Sequence, residues 1–434
     1  MSTDSHSPAR LAVTFDDDHA VAGAGLALVA TLSERLGVVD LANEVIDLGD
    51  RPGRALPGRK VATLVHGLVA GADCIDDCDI LRSGATGSVL GHRVMAPSTL
   101  GTFLRSFTFG HVRQLDHLSE ALLTRAWALG AGPRGGPMTI DMDSTIVEVF
   151  GKQKQGATYG YTHVLGHHPL VATRADTGEV LHIRHRKGSA NTGRGAPRFV
   201  AELFGRVRRA GATGPLTLRA DSGFWSKKVV AACRDHDVRF SITVRQTGPV
   251  TRAIAAIAED VWADIDYTDN GGTAQVAECT YGDGQRLITR RTRFAATQAE
   301  LFPSWRYHSF ITDRGGRAID LDTDHRRHAV VELAIRDLKE GAGLEHCPSG
   351  DFSANAAWAV LASLAHNLVR WVAALGMDHH GPVVMKTIRR KFLTVPGRLT
   401  HRARRRELHL PTNWPWATEW NECFDRLRSL TLQT

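Results

Sequence analysis

Apolar positions recur at helical spacing over residues 23–36, 59–70, 98–107 and 112–129, so roughly the first 130 residues are predicted to be mostly helical. Gly135-Gly136-Pro137 breaks this pattern. Beyond the break, alternating apolar and polar residues predict strands at 138–142, 145–150, 181–184, 216–219 and 239–244, with one clear helix at 198–210. Strands interrupted by a helix and Gly-rich connections predict a mixed α/β sheet. Residues 246–318 read as β-rich: 273–281 and 286–294 alternate around the turn Gly282-Asp283-Gly284, and 307–312 is a further strand. Helical spacing returns over 324–375, and a basic tail closes the chain. The predicted units are therefore a helical region (1–134), a first α/β part (135–245), a β-rich insertion (246–318), a helical second part (319–378) and a basic C-terminal region (379–434).

Length and composition narrow the class. The 434 residues are 43% hydrophobic and 23% charged, enough for a sizeable core and inconsistent with overall disorder. A net charge of +7, with pI ≈ 9.2, fits nucleic acid, an acidic membrane surface or merely a basic enzyme. Six scattered cysteines make no disulfide scaffold, and Cys74 and Cys78 have no second pair at zinc-finger spacing. The opening residues Met1 to Arg10 are polar, and no run of about 18 uncharged apolar residues occurs. A cytoplasmic protein without a membrane partner is expected.

The strand at 138–142 carries the candidate chemistry. Ile140 and Met142 alternate with Asp141 and Asp143, which puts both carboxylates on one face of a sheet. Two such charges are costly to gather unless something cationic joins them. Asp221, after a second strand, and Glu332, on a helix, can converge there. On that helix Glu332, Arg336 and Lys339 fall at i, i+4 and i+7, presenting a carboxylate and two cations on one face. Hard oxygen ligands of this kind suit Mg²⁺ and phosphodiester chemistry.

Asp143-Ser144-Thr145 after a strand, the stretch Leu218-Arg219-Ala220-Asp221-Ser222-Gly223-Phe224, and a helix with Glu332 and Lys339 together resemble bacterial insertion-sequence transposases of the DDE type. The likeness is to the insertion sequence family thirteen-eighty, in the group bearing a Tyr-Arg-Glu-Lys signature. It runs from about Gly23 to the C-terminus, and Arg219 to Phe224 is its most specific piece. The resemblance implies an α/β fold: an RNase H-like catalytic core interrupted by a β-rich insertion, with helical N-terminal and C-terminal regions, the first of them DNA-binding. Matched residue by residue, Asp143, Asp221 and Glu332 are the catalytic triad holding two Mg²⁺ ions, for which Mn²⁺ can substitute. Asp141 is either a rival ligand to Asp143 or a supporting group behind it. The partners implied are the element's terminal inverted repeats, target DNA and a second copy of the chain on DNA, in a nucleoid-associated setting.

The signature's Tyr and Arg positions hold His325 and His328 here. Phosphate contacts are expected from His325, Arg327, Arg336 and Lys339, and in the tail from Arg389, Arg390, Arg404 and Arg405, where Trp414, Trp416 and Trp420 follow. The basic loop 184–194 is either phosphate-contacting or solvated. Residues 98–129, with Arg113 and Arg125, form a helix-turn-helix or an ordinary bundle. Trp262 or Trp305 is a stacking platform for an unpaired base or a core residue. His163, His167 and His168 lack carboxylates at ligand spacing, so zinc hydrolysis is not expected. Two rivals stand beside an active transposase: a decayed or domesticated DNA-binding descendant, suggested by His325 and His328, and an RNase H-like nuclease that does not join strands.

Overall fold

The structure is a computed structural model and describes residues 8–151, 153–160, 162–267, 272–293 and 305–432; residues 1–7 and Phe294, which the patterns above include, lie outside them. After the short strand β1 (Ala20–Val21), the N-terminal part is helical: α1 (Leu26–Leu36), α2 (Val38–Val45), α3 (Pro57–Ala70), α4 (Pro97–Arg105) and α5 (Phe109–Ala126). Prolines open α3 and α4, where a missing N–H costs nothing.

The next stretch supplies β2 (Met138–Ser144), the short strands β3 (Val147–Glu148), β4 (Thr158–Tyr159) and β5 (Leu165–His167), then β6 (Leu170–Arg174), β7 (Val180–Arg184), α6 (Ala196–Arg209), β8 (Leu216–Ala220), α7 (Lys227–Asp235) and β9 (Val238–Val244). The block after it contributes α8 (Gly248–Ala255), β10 (Ala263–Asp264), β11 (Thr273–Tyr281), β12 (Gln285–Arg293) and β13 (Arg306–Thr312). The chain ends with α9 (Ala318–Arg326), α10 (Val330–Ala342), α11 (Phe352–Gly376), α12 (Met385–Ile388), the hairpin β14 (Gly397–Arg402) and β15 (Arg405–His409), and α13 (Ala417–Ser429).

One mixed sheet of nine strands, in the order β10-β11-β12-β13-β9-β8-β2-β6-β7, runs through the protein. β2, β8 and β9 are parallel neighbours, and β6 and β7 continue antiparallel from β2. The β-rich block does not stand apart, because β13 pairs antiparallel with β9 through Ser309↔Val244 to Thr312↔Ser241. Of the predicted strand at 145–150, only Val147–Glu148 forms, in a separate small sheet with β5 and β4. β6 escapes the alternation rule because all five of its residues are buried.

α11 is the hub of the packing, touching α1, α3, α4, α5, α10, α13 and β7. By length and composition it could cross a membrane, yet 89% of its apolar window is buried against these neighbours. Its Asn367 also finishes the sheet. β7 is an edge strand, and the Asn367 amide accepts from Val180 N–H at 2.7 Å and donates to Val180 C=O at 2.8 Å, replacing a missing strand.

α5 is no exposed recognition helix. Arg113 pairs with Asp116 at 2.8 Å and Glu202 at 3.2 Å, and Arg125 donates to the Leu36 carbonyl at 2.7 Å, so both cations are spent inside the fold. Replacing Asn367 with Ala leaves two buried backbone groups unpaired. It should destabilise the protein by about 3 kcal/mol, read as a lower urea midpoint with an unchanged m-value.

Candidate active site

Parallel pairing of β2 and β8 aligns Asp141 with Arg219 and Met142 with Ala220. One step further along the same register lie Asp143 and Asp221, at the C-terminal ends of adjacent strands. Because side chains alternate, Asp141, Arg219, Asp143 and Asp221 share one face, while Ile140 and Met142 are buried on the other. Glu332 reaches that neighbourhood from the first turn of α10, which packs on β2 and β6 and ends at Gly343, whose φ of +74° suits glycine.

Asp141 is completely buried and is not open to a ligand. Its carboxylate takes a two-pronged bond from the Arg219 guanidinium, both contacts 2.8 Å, and a third 2.8 Å contact from His328 Nδ1. Arg219 also donates to the Asp324 carbonyl at 2.5 Å. Among the described residues Asp143 has no such counter-ion: its carboxylate accepts from the Ser144 N–H at 2.6 Å, and that of Asp221 from the Gly223 N–H at 2.9 Å. Burial, then the negative charges of Asp221 and Glu332, push the Asp143 carboxyl up from its ordinary 3.8 to about 6, with the Ser144 N–H and His328 opposing. Three acidic groups thus lie near enough to repel one another, with no arginine or lysine paired to them among the described residues, and the donors are all hard oxygens. That set fits a divalent cation such as Mg²⁺.

Asp143, Ser144, Thr145, Glu332, Arg336 and Lys339 line a cleft of about 360 Å³. Lys339 pairs with Glu345 at 3.4 Å, while Arg336 is exposed and its guanidinium has no hydrogen bond or ion pair among the described residues. Asp221 faces a second cleft of about 720 Å³ with Asn191, Thr192, Trp225 and Arg245. The loop 184–194 that delivers Asn191 and Thr192 is built around the buried Arg186, which donates to the carbonyls of His168, Asn191, Thr192 and Arg194. Behind Asp143, His168 bridges Ser144 Oγ at 2.9 Å and the Ala190 carbonyl at 2.7 Å.

Other sequence-based candidates lie elsewhere. His325 is buried, stacked on Phe310, with Ser241 Oγ at 2.8 Å and Thr243 Oγ at 2.9 Å on its ring nitrogens, so it is closed to phosphate. Arg389 is likewise committed, to the carbonyls of Leu68, Val69 and Gly341. Arg327 and Arg390 are exposed, as are Arg404 and Arg405 on the β14–β15 hairpin, but none of the four lines either cleft. Trp414 and Trp420 donate to the carbonyls of Lys391 and Phe392 and pack the tail down. Trp262 and Trp305 hold the Arg291 guanidinium at 4.1 and 4.4 Å from their ring centres.

Arg219 and Arg245 were not singled out from the sequence. For Arg219 a signal exists: it stands two residues before Asp221, as Asp141 stands two before Asp143.

The chain matches the model of a family described as transposase DDE domain group 1 over residues 4–432. No curated protein matches it. Among solved structures it is similar to the piggyBac transposase in a synaptic complex with hairpin DNA, at 13% identity, over 86% of this chain and 79% of that one, with a TM-score of 0.46.

Two outcomes are expected. Asp141→Asn removes the buried charge that Arg219 and His328 share, leaving Arg219 only the 3.4 Å contact to the Asp324 carboxylate, and should cost about 3–5 kcal/mol, read by urea unfolding. Asp143→Asn should act in the opposite sense. The folded chain holds the Asp143 proton more tightly than the unfolded chain, so this group's contribution to stability is present below about pH 4 and lost as pH rises through about 6. With chelator present, Asp143→Asn should stabilise by ~2 kcal/mol at pH 8 and by almost nothing at pH 4.

Proposed function

The chain belongs to the transposase DDE domain family, group 1, and from that premise we propose that it cuts DNA at the terminal inverted repeats of an insertion sequence and joins the freed ends to target DNA. The observation that carries the reading is the gathering, without counter-ions among the described residues, of Asp143 and Asp221 at the ends of adjacent parallel strands and Glu332 from the first turn of α10, lining two open clefts. The order β7-β6-β2-β8-β9, with the last three strands parallel, supports an RNase H-like core. On this reading 1–134 bind DNA and the β-rich block 246–318 is the insertion. We assign the chain to the insertion sequence family thirteen-eighty in the Tyr-Arg-Glu-Lys signature group, working as a dimer on DNA.

Asp143, Asp221 and Glu332 would hold two Mg²⁺ ions. Bound there, the ions activate water or a 3′-hydroxyl and stabilise charge on the leaving oxygen. The chain's own residues do the rest. Arg336 and Lys339, one and two turns beyond Glu332, meet phosphates entering the cleft. Arg245 and Asn191 flank the strand that passes Asp221. Arg219 and His328 hold Asp141, and through it the spacing of the three ligands.

A labelled duplex carrying the element's own ends tests this. With Mg²⁺ or Mn²⁺ the wild type should nick at the ends, and Asp221→Ala should lower the rate by at least about a thousandfold while retaining end binding. End-specific binding with no metal-dependent cutting by the wild type would instead mark a non-catalytic descendant. Cutting that survives Asp221→Ala would refute the ligand assignment.

A further inference from the structure

A second cluster of ligand-type side chains lies apart from the carboxylates. His167, His185 and Cys347, all buried, bring one ligand atom each to within 4.8 Å of the others. They come from β5, from just beyond β7 and from the link between α10 and α11. The two histidine segments are forced together by a tight backbone crossing: a Cβ at Gly188 would lie 2.1 Å from the Gly166 carbonyl oxygen.

The protonation pattern favours a metal. The Gln155 carbonyl, which can only accept, lies 3.0 Å from His167 Nε2, so that nitrogen carries the proton. Nδ1 is therefore a bare lone pair, and it faces Cys347 Sγ at 3.5 Å. Zinc-bound histidines commonly donate their other N–H to a carbonyl in this way. An S–H···N hydrogen bond would explain that contact alone.

It does not explain His185. That imidazole is 8% exposed, its ring lies 4.5 Å from His167's and 5.1 Å from Phe352's, and among the described residues neither of its nitrogens has a hydrogen-bond partner. An unsatisfied buried imidazole costs free energy that a coordinate bond would recover. Burial drops His185 to about 3, so it is neutral and able to ligate. Burial lifts the Cys347 thiol to about 11, against the pull of the nearby Lys154 ammonium, whose Nζ is bonded to the Cys347 carbonyl. Metal binding reverses that preference by taking the thiolate. Tetrahedral zinc, with Zn–S near 2.3 Å and Zn–N near 2.0 Å, places sulfur and nitrogen about 3.5 Å apart.

We propose that His167, His185 and Cys347 form a structural zinc site. On the reading above it would brace the carboxylate cluster from both sides. Cys347 follows the helix that bears Glu332, and His167 adjoins His168, which bonds Ser144 beside Asp143. The zinc site itself does not depend on that reading.

Metal binding is measured on the full chain carrying Asp143→Asn, Asp221→Asn and Glu332→Gln, so that the three acidic groups of the candidate active site contribute no charge. After chelator treatment and desalting, added Zn²⁺ should be retained at about one equivalent per chain, and Co²⁺ should give a thiolate-to-cobalt charge-transfer band. Adding Cys347→Ser should abolish the band, and adding His185→Ala should weaken affinity at least about tenfold, with unchanged circular dichroism. If those variants misfold, an organomercurial titration of the zinc-loaded parent should release zinc as Cys347 reacts. No retained metal, or a cobalt–thiolate band that survives Cys347→Ser, would overturn the proposal.

Discussion

One buried negative charge organises the carboxylate site. Asp141 has no access to water, and a carboxylate there survives only with charged, hydrogen-bonding partners on hand. Arg219 comes from the neighbouring strand and His328 from the turn that leads into α10. Such a pair adds little net stability compared with an apolar alternative. What it supplies is alignment. A one-residue slip of β2 against β8 would turn Asp141 to the opposite face, away from Arg219, so the buried pair admits one register. In that register Asp143 and Asp221 stand side by side, and His328 holds the start of α10, four residues before Glu332, against them.

The three acidic groups beyond this clasp are arranged with the reverse economy. Asp143 is largely buried beside two like charges, and its carboxyl resists ionising. Among the described residues no arginine or lysine makes an ion pair with Asp143, Asp221 or Glu332, although Arg219 stands two residues before Asp221 on the same face. A cation there from the chain would satisfy the site and close it to metal. The molecule therefore carries local repulsion that a divalent cation would relieve, and on the proposed reading metal affinity would fall as Asp143 takes up its proton.

Much of this was legible from residue patterns. The alternation around Asp141 and Asp143, the strand ending at Asp221 and the helix bearing Glu332 all appear in the structure, and local periodicity was enough to find them. What stayed hidden depends on partners distant in sequence. β6 lacks alternation because both of its faces are covered. His325 and Arg389 look like phosphate ligands in a basic context, yet one stacks inside the fold and the other caps the ends of α3 and α10. In sequence His167 neighbours His163 and His168, whereas its partners in space, His185 and Cys347, are 18 and 180 residues away. Such groupings follow from topology, which no local pattern encodes.

The same lesson changes what the basic charge means. The excess of +7 suggests a cationic surface, but several arginines never reach it. Arg186 organises a loop, Arg219 holds Asp141, Arg290 pairs with Asp322 at 2.7 Å, and Arg370 pairs with Asp337 at 3.0 Å. Arg219, Arg290 and Arg370 exchange long-range attraction for local order, because a guanidinium paired with a carboxylate inside the fold offers little field outside it, while Arg186 is held at the centre of its loop by carbonyls. The cations that can meet a phosphate backbone are those with no internal duty, and Arg336 and Arg245 are two of them, one at each cleft beside the acidic groups. On the proposed reading they would attract a negatively charged strand to a region whose own carboxylates would otherwise repel it.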